Sequence, residues 1–129
     1  MEVLYILGCH RSGSTILTIL LGNHSDIFGA GELSDYCKNS GLPKRSNNRL
    51  LNFWKSVKNE MENSLNGKLF IKKYNPGELE SNSYFIKHIL GKNKKEELNS
   101  YYQYIEQLYL SISKVSNRQI IIDSSKSIS

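Results

Sequence analysis

The chain has 129 residues, of which 39% are hydrophobic and 22% charged, and its formal net charge is +5. That balance excludes wholesale disorder, and the length allows one domain or part of one. A pI near 9.2 is compatible with anionic partners, whether nucleic acid, acidic membrane surfaces or phosphorylated small molecules, and does not choose among them.

EVLYILG, residues 2–8, is a nearly unbroken apolar run that ends in glycine. It reads as a buried strand of a parallel sheet covered on both faces. GCHRSGST, residues 8–15, follows with the glycine spacing of a phosphate-binding P-loop. Ser14 stands where the lysine of that motif belongs, and Arg11 supplies a cation ahead of the second glycine. Ile16, Leu17, Ile19, Leu20 and Leu21 then predict a buried helix that stops near Gly22 or Asn23. Strand, loop and helix in this order form the first half of a βαβ unit.

The apolar runs Val3 to Leu7 and Ile16 to Leu21 are too short, and too poorly flanked, for a secretory leader or a membrane span. The sequon Asn23-His24-Ser25 therefore carries no weight. Cys9 and Cys37, two cysteines in all, do not make a disulfide framework or an unaided structural zinc site. A cytoplasmic protein is expected.

Residues 25–33 read as a loop with glycines at 29 and 31, carrying Glu32. Residues 40–48 are polar, include Pro43 and read as surface. Leu50, Trp54, Val57, Met61 and Leu65 recur every three to four residues and predict an amphipathic helix. Asn75-Pro76-Gly77 is a turn. A weaker helical pattern of Tyr84, Phe85, Ile89 and Leu90 ends at Gly91, and Lys92 to Lys95 read as a solvated turn. Residues 96–115 predict a second helix whose broad face holds Leu98, Tyr101, Tyr102, Ile105, Leu108, Tyr109 and Ile112, aromatics that belong to a core. Ile120 to Ile122 form a second buried strand, with Asp123-Ser124-Ser125-Lys126 at its C-terminal end. The fold class is α/β, a P-loop-like three-layer arrangement with a parallel sheet. Two strands are few for such a sheet, and a helix would normally follow the second, so the domain is expected to be truncated after that strand.

Backbone N–H groups at a helix N-terminus, with the helix dipole behind them, favour an anion. Gly8 and Gly13 let the main chain turn tightly, Ser12, Ser14 and Thr15 add hydroxyls, and Arg11 offers a forked, permanent cation suited to tetrahedral oxyanions. The loop therefore reads as a phosphate site. ATP or GTP hydrolysis fits it less well, since the lysine that reaches the β- and γ-phosphates is missing. His10, His24 and His88 form no metal-ligand spacing, and Ser12 and Ser14 do not sit in a G-x-S-x-G elbow.

Val3 to Leu33, with R-S-G-S-T at its centre, resembles the N-terminal segment of sulfotransferases, closest to the branch of carbohydrate, tyrosylprotein and many bacterial enzymes. I-I-I-D-S-S-K-S, residues 120–127, resembles the next motif of that family, and residues 36–117 show no family signature. The resemblance implies 3′-phosphoadenosine 5′-phosphosulfate as sulfuryl donor and no metal, with Arg11, Ser12, Gly13, Ser14 and Thr15 binding the 5′-phosphosulfate. A donor with one phosphate joined to a sulfuryl group has no β/γ pair for a P-loop lysine to span. By the same resemblance Glu32 is the general base and Lys126 the cation that supports the transferring or bridging oxygens, in a direct in-line transfer without a covalent intermediate. Without it, Glu32 reads first as a surface or capping glutamate, and Lys126 equally as a solvated lysine.

The acceptor would be a small molecule, carbohydrate or peptide, with no nucleic acid and no membrane span involved. The whole chain, 1–129, is expected to be the N-terminal part of one sulfotransferase-like domain, without the 3′-phosphate-binding region. Two alternatives stand beside this reading: a P-loop nucleoside or small-molecule kinase using Asp123 with magnesium, and a non-catalytic phosphate-binding module.

Overall fold

The computed structural model describes residues 1–8, 12–33, 36, 48–64 and 95–125. In chain order these form β1 (Glu2–Tyr5), α1 (Ser14–Leu21), β2 (Ile27–Gly31), α2 (Asn48–Ser64), α3 (Lys95–Ser116) and β3 (Ile120–Asp123). The strands make one parallel three-stranded sheet in the order β1-β3-β2. The last strand in sequence is thus the middle one in space. Ile121 and Ile122, fully buried, give it the two-sided apolar character that a central parallel strand requires.

The two faces are covered by different helices, because successive side chains along a strand point to opposite sides. Phe28 and Ile121 are partners in register. Both belong to or pack on the core cluster with Trp54, Val57 and Met61 of α2 and Tyr101, Tyr104, Leu108 and Ile112 of α3. Phe28 stacks on Phe53 with ring centroids 4.6 Å apart, and Trp54 lies edge-on to Phe53 at 5.1 Å. Gly29, one residue on, belongs to the opposite face, and α1 lies against it. A Cβ built on Gly29 would come within 2.8 Å of the Thr18 carbonyl oxygen, so only glycine lets helix and strand backbones approach this closely. The result is the expected three-layer α/β arrangement, α1 on one side and α2 with α3 on the other.

Residues 27–31 are a strand where a loop was expected. I-F-G-A-G holds only two good strand formers, and its glycines are spent on backbone approach rather than on a turn. The helix α1 also departs from expectation. Its polar residues Ser14 and Thr18 are the buried ones, whereas Ile16, Leu17, Ile19 and Leu20 are exposed. Thr18 satisfies its hydroxyl by donating to the Ser14 carbonyl at 2.9 Å. Strand β1, expected to be buried on both faces, is exposed throughout. Among the described strands it pairs only with β3, and α1 packs on β2 instead of over it.

Helices α2 and α3 match their predicted periodicity, with Trp54, Val57 and Met61 buried on one and Tyr101, Leu108 and Ile112 on the other. Leu50, at the start of α2, stays exposed, as does Tyr102 on α3. Asn117 ends α3 in the left-handed region at φ 53°, and the Arg118 amide donates back to the Ser113 carbonyl at 3.3 Å. This is a Schellman-type stop, with asparagine in the position that glycine usually takes. It aims the chain straight into β3. Leu65, the turn at residues 75–77, the Tyr84 to Leu90 pattern, the polar stretch 40–47 and Lys92 to Lys94 lie outside the described residues.

Candidate functional site

Parallel strands deliver their following loops to the same edge of the sheet, and ligands in open α/β sheets bind outside the strands' carboxyl ends. Here the register puts Tyr5, Asp123 and Gly31 in one rank across the sheet. The ladder continues one step further: the Ile6 amide donates to the Asp123 carbonyl at 2.8 Å and the Ser124 amide to the Gly31 carbonyl at 2.9 Å. Three segments therefore leave the sheet side by side. They are Ile6 to Gly8 towards the phosphate-type loop, Glu32 after β2, and Ser124-Ser125 after β3.

The loop after β1 closes tightly. A Cβ on Gly8 would fall 2.5 Å from the Ser12 hydroxyl oxygen, so the two ends of the loop fold onto one another. Gly13 caps α1 in the left-handed region, φ 83°, so the capping residue has no side chain to bond the helix N-terminus, and the first turn carries no acid. The first N–H groups of any helix lack carbonyl partners within it, and the dipole leaves them partly positive. An N-terminus of this kind is electrostatically suited to an anion. Ser12 and Thr15 are exposed beside it, and Ser14 is buried. Arg11 lies outside the described residues.

Glu32 is exposed and follows Gly31, whose φ of 74° is a left-handed conformation that suits glycine. Between Gly29 and Gly31 the pairing with β3 shifts by one, which leaves Ala30 unmatched. A bulge of this kind bends its strand and re-aims the next side chains. The G-A-G-E sequence is therefore a strand end that redirects Glu32, and its glycines serve backbone geometry.

Beside Glu32, the exit of β3 is held by a carboxylate that the kinase alternative would have given to magnesium. Asp123 is only 4% exposed. Its Oδ1 accepts the Ser125 amide at 2.7 Å and its Oδ2 accepts the Tyr109 hydroxyl at 2.7 Å. The Tyr5 hydroxyl donates to the Ser125 carbonyl. Ser124 and Ser125 are themselves buried. Asp123 is thus occupied in fixing the turn that precedes Lys126, a residue outside the described ones. Sequence reasoning missed Tyr5 and Tyr109. An Asp followed two residues later by the amide it accepts is a readable Asx-turn signature, but nothing local to Tyr109 separates its hydroxyl from the core aromatics around it.

The structure thus brings together Ser12, Gly13, Ser14, Thr15, Glu32 and the Ser124-Ser125 turn at one sheet edge. Among the described residues no three His, Cys, Asp or Glu side chains gather as a metal site, and no helix is long and apolar enough to cross a membrane. No curated protein and no solved structure matches the chain. A family model described as sulfotransferase family matches residues 4–128. The loop, the strand order and this match agree, and the chain belongs to the sulfotransferase family.

Proposed function

We propose that the protein transfers a sulfuryl group from 3′-phosphoadenosine 5′-phosphosulfate to an acceptor hydroxyl. The observation that carries this reading is the glycine-capped N-terminus of α1, with no acid in its first turn, at the same sheet edge as Glu32 and the β3 exit. Amides without carbonyl partners, a left-handed Gly13 and adjacent hydroxyls suit a phosphosulfate, so the residues present fit the donor.

On this reading Arg11, Ser12, Gly13, Ser14 and Thr15 hold the 5′-phosphosulfate, the amides of α1 facing its oxygens. The donor supplies a sulfuryl group bonded through oxygen to a phosphate, which is a good leaving group once its charge is stabilised. Glu32 accepts the proton of the acceptor hydroxyl, and its exposure after the bulge lets it meet a substrate arriving from solvent. Lys126, following the anchored Ser124-Ser125 turn, sets a positive charge against the oxygens where negative charge grows. The acceptor is a small molecule, carbohydrate or peptide, and the protein works in the cytoplasm with Cys9 and Cys37 reduced.

Calorimetry with adenosine 3′,5′-bisphosphate on the full-length protein tests this. Arg11→Ala removes a charge-assisted contact worth about 1.5–3 kcal/mol, so affinity should fall at least tenfold. Tighter binding of magnesium-ATP than of the bisphosphate would instead favour a kinase.

A further inference from the structure

We propose that Asp123 is a positioning residue. Its carboxylate, steadied by Tyr109 and closed onto the Ser125 amide, fixes the Ser124-Ser125 turn at the sheet edge where the donor would bind, an inference that rests on the sulfotransferase reading. A buried carboxylate is costly unless its oxygens are satisfied. The end of β3 does not need one to continue the ladder, since the Ser124 amide already donates to Gly31. Asp123 instead spends one oxygen on the turn beyond the strand and the other on a helix that packs behind the sheet.

The turn is consequently gripped from three separate elements. β2 holds it through the Gly31 carbonyl, α3 through Tyr109 and Asp123, and β1 through the Tyr5 hydroxyl on the Ser125 carbonyl. None of these contacts involves residues 12–15 of the phosphate-type loop. The β3 exit is therefore set by the scaffold, and preorganisation of this kind lowers the cost of ordering the site around a ligand. Tyr109 acts through Asp123, and Asp123 acts through the turn.

The test uses the full-length protein with Tyr109→Phe, Asp123→Ala and Asp123→Asn, and Ile112→Val in the α3 core as a stability control. Three quantities are read: exchange of the Ser125 amide by NMR, affinity for adenosine 3′,5′-bisphosphate, and Tm. Tyr109→Phe and Asp123→Ala should speed Ser125 exchange about tenfold and weaken the bisphosphate about five- to tenfold. Asp123→Asn keeps an acceptor oxygen for the Ser125 amide and should recover most of both. Ile112→Val should lower Tm and move neither. If Asp123→Ala fails to fold, Tyr109→Phe decides alone. Wild-type Ser125 protection and affinity in Tyr109→Phe would overturn the proposal, as would an equal loss of affinity in Ile112→Val. Should the wild-type protein not bind the bisphosphate, the sulfotransferase reading falls, and Ser125 exchange by itself settles whether Asp123 holds the turn.

Discussion

Two carboxylates flank the end of the sheet, one buried and one exposed. Asp123 is buried, with both oxygens taken by donors from the turn and from α3. Glu32 is exposed just beyond a left-handed glycine and a one-residue bulge. Asp123 is committed to holding the turn, and under the function proposed above the base is Glu32. Glu32→Gln preserves shape and removes proton acceptance. Steady-state kinetics on the full-length protein should show kcat reduced by about 10²- to 10⁴-fold, while calorimetry finds donor affinity nearly unchanged. Loss of donor affinity in step with kcat would place Glu32 in ligand binding instead.

Among the elements, helix and strand meet in two different ways, and the difference decides what the sequence disclosed. Where α2 and α3 pack, side chains fill the space between them, and the three-to-four spacing of Trp54, Val57 and Met61 or of Tyr101, Leu108 and Ile112 announces the buried face. Where α1 meets β2, backbone approaches backbone at Gly29, so Ser14 and Thr18 face inwards and the apolar residues carry no information about the contact. For the same reason β2 looked like a loop. Short segments could be read from their own residues, as Ser12 to Thr15 at the start of α1 and Ser124-Ser125 after β3, whereas Arg11 and Lys126 lie outside the described residues. The Tyr109 to Asp123 hydrogen bond joins α3 to the end of β3 and was hidden, because it depends on how the helix settles on the sheet. Gly29→Ala tests the backbone contact. A methyl 2.8 Å from the Thr18 carbonyl oxygen must push α1 away, and unfolding in denaturant should show a loss of about 1–3 kcal/mol. An unchanged midpoint would mean that α1 moves off the sheet at no cost.

At the scale of the whole molecule, the described sheet has a covered flank at β2 and a bare one at β1. Val3, Leu4 and Leu7 of the first strand and its exit are exposed, as are Ile16 and Ile19 of α1. Between these flanks β3 does the joining: β1 and β2 pair with it and not with each other. Glu2 and Ile27 both take Ile120 as register partner. A chain ending at residue 110 should therefore show no amide protection at Val3 and Leu4 and no bisphosphate binding, even though it holds the entire phosphate-type loop. Protected strand amides in that fragment would contradict this. During synthesis the same geometry imposes an order of events. The N-terminal loop leaves the ribosome early but has no central strand to dock on until residues 120–123 emerge, so the candidate site matures only after them. Closing so long a loop of chain is entropically slow, and it ties the docking of the N-terminal loop to the arrival of its central strand.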